Sequence, residues 1–224
     1  MRNPARPQQP EAPAAEDLVD FAAALELTDV VFDLDGTLVA LEMPWQRWTN
    51  EIVQFVPEPD REDLRTLMNT PGAAWGTRLN EFIVSGHVNV ADVLRVSIEF
   101  EREHLRYRPN RSILSAIHKL STAGIALHLW TNNVESTATR VLTELSATSY
   151  FTTIVARDHV VLSKPDPEGW YRMGADVRST MIVGDSSNDR LAAEALGVAY
   201  YEVGYFQGLP DKPPTATSAK GKHS

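Results

Sequence analysis

Asp29-Val30-Val31-Phe32-Asp33-Leu34-Asp35-Gly36-Thr37 is the stretch on which the reading of this chain turns. An apolar run stopped by two acids and a glycine describes a buried strand that ends in a turn. Three later segments repeat the design. Residues 125–130 run into Thr131-Asn132-Asn133, residues 180–183 into Gly184-Asp185, and residues 198–203 into Gly204. A fifth segment, 151–156, is weaker. Helical periodicity lies between them, over residues 110–123, 134–145, 167–175 and 189–196. Ahead of the first strand, Asp17 is placed to cap a short helix with Leu18, Phe21, Ala22 and Leu25 on one face. Strands alternating with helices of this length build a doubly wound parallel sheet of the α/β class. Ligands of such sheets bind beyond the carboxyl ends of the strands, where the polar residues just named fall.

Residues 39–108 break the alternation. They show no convincing strand, and helical patterns are clearest over 62–68, 77–84 and 91–107. A crossover needs far fewer residues. The expectation is therefore a small α-helical cap domain, 39–108, inserted into a core made of 17–38 and 109–207. Trp45 and Trp48 are expected to pack inside it. Residues 1–16, rich in Pro, Ala and Gln, and residues 208–224, with Pro210, Pro213 and Pro214 among Ser, Thr and Lys, are expected to be disordered tails.

Composition bounds the function. A net charge of −9 lacks the basic field that a nucleic-acid or membrane-surface binder needs. It leaves an anionic substrate open, because a metal and one lysine reverse the sign locally. The absence of cysteine excludes a disulfide scaffold, a thiolate nucleophile and thiolate metal sites. With no apolar run near the ~20 residues of a membrane helix, and no apolar region behind the early arginines, the chain is expected to be soluble and cytoplasmic. Its oligomeric state is not legible.

Four clusters carry chemistry. In Asp33-Leu34-Asp35-Gly36-Thr37, residues two apart on an extended segment point the same way, so both carboxylates can face one pocket. Gly36 permits a sharp turn. Two acids converging there suit a hard cation such as Mg²⁺, which prefers oxygen ligands. Thr131 and Asn132 follow a strand and can donate to a phosphate oxygen, although such a pair also caps helices. His128 and Trp130 read as strand packing. Lys164, stiffened by Pro165 and Pro167, is either a solvated lysine or the cation of a cleft. In Gly184-Asp185-Ser186-Ser187-Asn188-Asp189, Asp185 is placed like Asp33, and Asp189 falls where a helix N-cap would.

In this order the four clusters resemble the haloacid dehalogenase superfamily, in its phosphoglycolate phosphatase-like branch, over about residues 27–205. The resemblance implies a Rossmann-like core under a helical cap, Mg²⁺ as cofactor and a small phosphorylated metabolite as substrate. It implies Asp33 as nucleophile, Asp35 as general acid and base, and Thr131 and Lys164, with Asn132 beside them, as the phosphate grip. Asp185 would bind Mg²⁺ with Asp33 and the backbone carbonyl of Asp35, and Asp189 would support the metal. An acid at position 35 is absent from the family's dehalogenases, which points away from dehalogenation. Where many relatives continue with Asp-Ser, this chain has Ala40-Leu41-Glu42. By position in the cap, Trp75 and Arg78 are the expected contacts of the leaving group.

Physics agrees with the metal. Like unit charges about 4 Å apart repel by roughly 4 kcal/mol at an effective dielectric of 20, about three powers of ten in rate. A carboxylate therefore attacks an anionic phosphate only where positive charge is supplied. Two other readings share these residues. A phosphomutase would pass the phosphoryl group to a sugar hydroxyl instead of water. A signalling domain would merely store an aspartyl-phosphate, although such receivers arrange their acids differently and carry no cap.

Overall fold

The computed structural model describes residues 15–70 and 73–204. Helix α1 (Ala15–Ala24) leads to strand β1 (Asp29–Phe32) and then β2 (Val39–Leu41). Four helices follow: α2 (Trp45–Ile52), α3 (Glu58–Met68), α4 (Trp75–Val84) and α5 (Val90–His104). The chain returns through β3 (Tyr107–Pro109) to α6 (Arg111–Thr122), β4 (Ala126–Trp130), α7 (Glu135–Glu144) and β5 (Phe151–Val155). It finishes with β6 (Thr180–Gly184), α8 (Ser187–Leu196) and β7 (Ala199–Glu202).

Five strands form one sheet in the order β5-β4-β1-β6-β7, and every pairing is parallel. The molecule is thus an α/β protein with the sequence's first strand at the centre. Val30, Val31 and Phe32 are fully buried, as a strand covered on both faces requires. Side chains alternate between two cores. Val30 and Phe32 pack with Leu18 and Ala22 of α1 and Ile117 and Leu120 of α6. Val31 and Ile182 pack on the opposite face with Ala192 and Ala193 of α8. Each such large apolar side chain contributes roughly 1.5–3 kcal/mol by leaving water. Asn110 caps α6 by accepting from Ile113 N at 3.3 Å, and Asn89 caps α5 from Ala91 N at 2.9 Å.

Several expectations need correction. Residues 39–108 contain two short strands, β2 and β3, paired antiparallel from Val39↔Pro109 to Leu41↔Tyr107. Three residues are too few to show a period, so the ribbon left no pattern to read. The helix expected through Tyr107 stops at His104 for the same ribbon, and α2 was not anticipated. Residues 167–175 form a 3₁₀ turn over Pro167–Arg172 instead of an α-helix. Asp17 lies inside α1 and not at its start, because the helix begins at Ala15. Of the stretches expected as tails, residues 1–14 and 208–224 lie outside the described residues. Among the described residues, no helix is long and apolar enough to cross a membrane.

Candidate active site

Register builds the site. Phe32 stands level with Leu129 of β4 and Val183 of β6, so the next residues, Asp33, Trp130 and Gly184, come level at the carboxyl end of the sheet. Asp33 N donates to Val183 O at 2.9 Å, extending the ladder by one step and fixing Asp33 at the carboxyl end of the sheet. Beyond it the chain turns at Gly36, whose φ is +79°. A Cβ at Gly36 would lie 2.1 Å from the Asp185 carboxylate. Glycine is required there twice, for its backbone angle and for the space Asp185 occupies. Asp35, after the strand, lines the same cavity as Asp33, and its Oδ1 accepts from Leu41 N at 2.8 Å, at the end of β2.

Lys164 is buried, and its ammonium donates to Asp33 Oδ1 at 2.7 Å, to the Trp130 carbonyl at 2.7 Å and to Asp189 Oδ1 at 2.5 Å. Three donors meet three acceptors, so its capacity is filled. Asn132 holds the backbone of that lysine, accepting from Lys164 N at 2.9 Å and donating to its carbonyl at 3.3 Å. Asp189 is not the N-cap of α8. Ser186 is, and Asp189 returns the contact as the third residue of a capping box.

Burial pushes Asp33 up to about 7, against the pull of Lys164. It pushes Asp35 to about 7 and Asp185 to about 8, the latter with help from the charges of Asp33 and Asp189. Burial alone would lower Lys164, but the attraction of Asp189 and Asp33 outweighs it and the net shift is upward. The site is therefore short of positive charge. Asp33, Asp185 and Asp189 each present a carboxylate oxygen, all within 4.8 Å of one another. An all-oxygen donor set beside a glycine that keeps its space open fits a hard divalent cation.

A cavity of about 510 Å³ opens over these groups. Asp33, Asp35, Asp185 and Lys164 form its floor, and Trp45, Trp48 and Trp75 line it from the helical segment. Thr131 is buried but does not line it; its hydroxyl donates to Asn133 Oδ1 at 3.1 Å and accepts from Asn133 N at 3.0 Å. Arg78 is not brought to the site either. It pairs with Asp60 at 2.9 Å and Glu81 at 2.6 Å, over the Phe82 ring, and is absent from the cavity wall.

One further residue lines the cavity, and two more brace the backbone at Ser163 and Lys164. Glu101 of α5 is 2% exposed, lines the cavity and accepts from Val134 N at 3.2 Å, and burial raises it to about 8. Asn80 of α4 donates to Ser163 O at 2.7 Å and accepts from Ser163 N at 3.1 Å. Gly76 lies so close to Lys164 that a Cβ would sit 2.0 Å from its carbonyl oxygen. Asn80 carried a faint signal, a polar residue between Leu79 and Phe82 on a core-facing stripe. Glu101, inside Glu99-Phe100-Glu101-Arg102-Glu103, read as one more solvated charge.

The family model described as haloacid dehalogenase-like hydrolase matches residues 30–203. A phosphoglycolate phosphatase of Agrobacterium fabrum is 36% identical over 110 residues, 47% of this chain and 46% of that one. The match thus spans about half the length of that relative. The Probable phosphatase IndB of Dickeya dadantii is 30% identical over 182 residues, 76% of this chain and 78% of the relative. In fold, the chain is similar to CbbY of Rhodobacter sphaeroides crystallised with phosphate, with a TM-score of 0.54 at 22% identity, covering 82% of this chain and 90% of that one. The chain belongs to the haloacid dehalogenase-like hydrolases.

Proposed function

We propose that this protein is a magnesium-dependent phosphatase of a small organic phosphate monoester, acting through an aspartyl-phosphate on Asp33. The observation that carries the reading is the Asp33 carboxylate, buried at a strand end 2.7 Å from Lys164, with a second acid two residues on. Asp33 and Asp185 would hold the cation, with the Asp35 carbonyl and Asp189 in support. Bound there, Mg²⁺ supplies the positive charge that lets an anionic phosphate approach a carboxylate.

Asp33 attacks phosphorus, and the bond from phosphorus to the leaving oxygen breaks as Asp35 delivers a proton to that oxygen. Asp35, now ionised, takes a proton from a water that attacks the same phosphorus. The bond to Asp33 breaks, phosphate leaves and both acids return to their starting states. Lys164 neutralises Asp33 and the phosphoryl oxygens throughout, held by Asp189 and the Trp130 carbonyl. Asn132 positions Lys164 through its backbone. Residues 39–108 act as a cap that excludes bulk water from the acyl-phosphate, and they supply the leaving-group wall through Trp75.

The test is phosphate release from p-nitrophenyl phosphate with Mg²⁺, compared with the Asp33→Asn variant. The variant is expected to lose activity to the background of the uncatalysed reaction. Undiminished turnover by a folded Asp33→Asn protein contradicts the assignment.

A further inference from the structure

Trp45 and Trp48 of α2 and Trp75 of α4 meet in the wall above the acids. Their rings form a chain, with centroids 6.0 Å apart from Trp45 to Trp48 and 5.4 Å from Trp48 to Trp75, at interplanar angles of 83° and 71°. Met68 and Leu41 continue the apolar surface. The Trp48 ring N–H is spent on Ser97 Oγ at 3.0 Å, so this side chain offers the cavity π surface and no donor. Rigid aromatic faces and edges are matched best by another flat ring.

Charge narrows the ligand further. Among the described lining residues the cations are Lys164 and Arg108. Lys164 is committed at the phosphoryl end, and Arg108 is ion-paired with Glu42 on the same wall. Arg78 is held away by Asp60 and Glu81. A carboxylate or second phosphate on the leaving group would lose its water without gaining an uncommitted cation among these residues, with Glu42 nearby. Volume points the same way. At ~30 Å³ per water, about 510 Å³ holds far more than a two-carbon alcohol would displace.

The geometry points to a phosphate monoester whose alcohol carries an uncharged planar aromatic or heteroaromatic ring, seated against Trp45, Trp48 and Trp75. The inference rests on the phosphatase reading for the phosphoryl end alone.

Calorimetric titration of the full-length Asp33→Asn protein in Mg²⁺, which avoids turnover, compares benzyl, ethyl and para-carboxybenzyl phosphate. These esters share similar leaving oxygens and differ in the ring and then in the added charge. Benzyl phosphate is expected to bind at least about tenfold more tightly than either of the others. Adding Trp75→Ala is expected to erase the benzyl-to-ethyl ratio, and adding Trp75→Phe to keep most of it. Should the alanine variant fail to fold, the ratios in the parent protein decide. Equal affinity for benzyl and ethyl phosphate, preference for the carboxylated ester, or no binding of any ester overturns the inference. Phosphate release by the wild-type chain is read separately. Ring preference without release supports this inference while contradicting the proposed activity, and equal release from all three esters does the reverse.

Discussion

Lys164 holds the balance of charge in the site, since one buried ammonium serves Asp33, Asp189 and the Trp130 carbonyl. Lys164→Ala removes roughly one unit-charge contact with the phosphoryl group, on the order of 4 kcal/mol. Turnover is therefore expected to fall about a thousandfold, as read by steady-state phosphate release at saturating Mg²⁺. A loss under tenfold would show that the lysine is structural. The importance of this residue was visible only in part from the sequence. A lysine between serine and proline reads as solvated, and its place in the order of motifs singled it out. Asp33, Asp35 and Asp185 were legible because each ends a strand that apolar runs announce. Arg78 was misleading. A cation just after a Pro-Gly break looks available until Asp60, eighteen residues earlier, is seen to hold it from α3.

At the scale of elements, α5 reaches the loop between β4 and α7 through Glu101, whose carboxylate accepts from Val134 N just before α7. Burial raises its folded pKa from the ordinary 4.5 to about 8, while hydrogen bonds from Thr137, Val134 and Asn133 act the other way and the charge of Asp35 adds to the rise. Between those values the unfolded chain has released its proton and the folded chain has not. Stability is thus whole below about 4.5 and is lost as pH rises toward 8. Glu101→Gln cannot titrate, so its melting temperature relative to wild type should climb by a few degrees from pH 5 to pH 8 in metal-free buffer. A gap that stays constant with pH would contradict a buried, protonated Glu101. Contacts of this kind join segments far apart in sequence, Glu101 to Val134 and Asn80 to Ser163. Local pattern carries no trace of them. The βα alternation was legible because it is written in periodicity, whereas the β2–β3 ribbon was too short to have any.

For the whole molecule, three distant stretches converge on one acidic pocket that burial makes costly to ionise and whose carboxylates could hold a cation. A cation at a hundred times its dissociation constant adds about 2.7 kcal/mol to stability. For a chain of this size that is roughly 5–10 °C in melting temperature, lost again with a chelator. Unchanged melting under conditions that saturate activity would place the metal elsewhere. The central claim is the covalent bond between Asp33 and phosphorus. Asp35→Asn should still form that bond with p-nitrophenyl phosphate, whose leaving group needs no proton, and should fail to hydrolyse it. The direct measurement is tandem mass spectrometry of this variant, acid-quenched after reaction in Mg²⁺. The account predicts one added phosphoryl group on Asp33; phosphate release with Asp33 unmodified, or the phosphoryl group found on another residue, would contradict it.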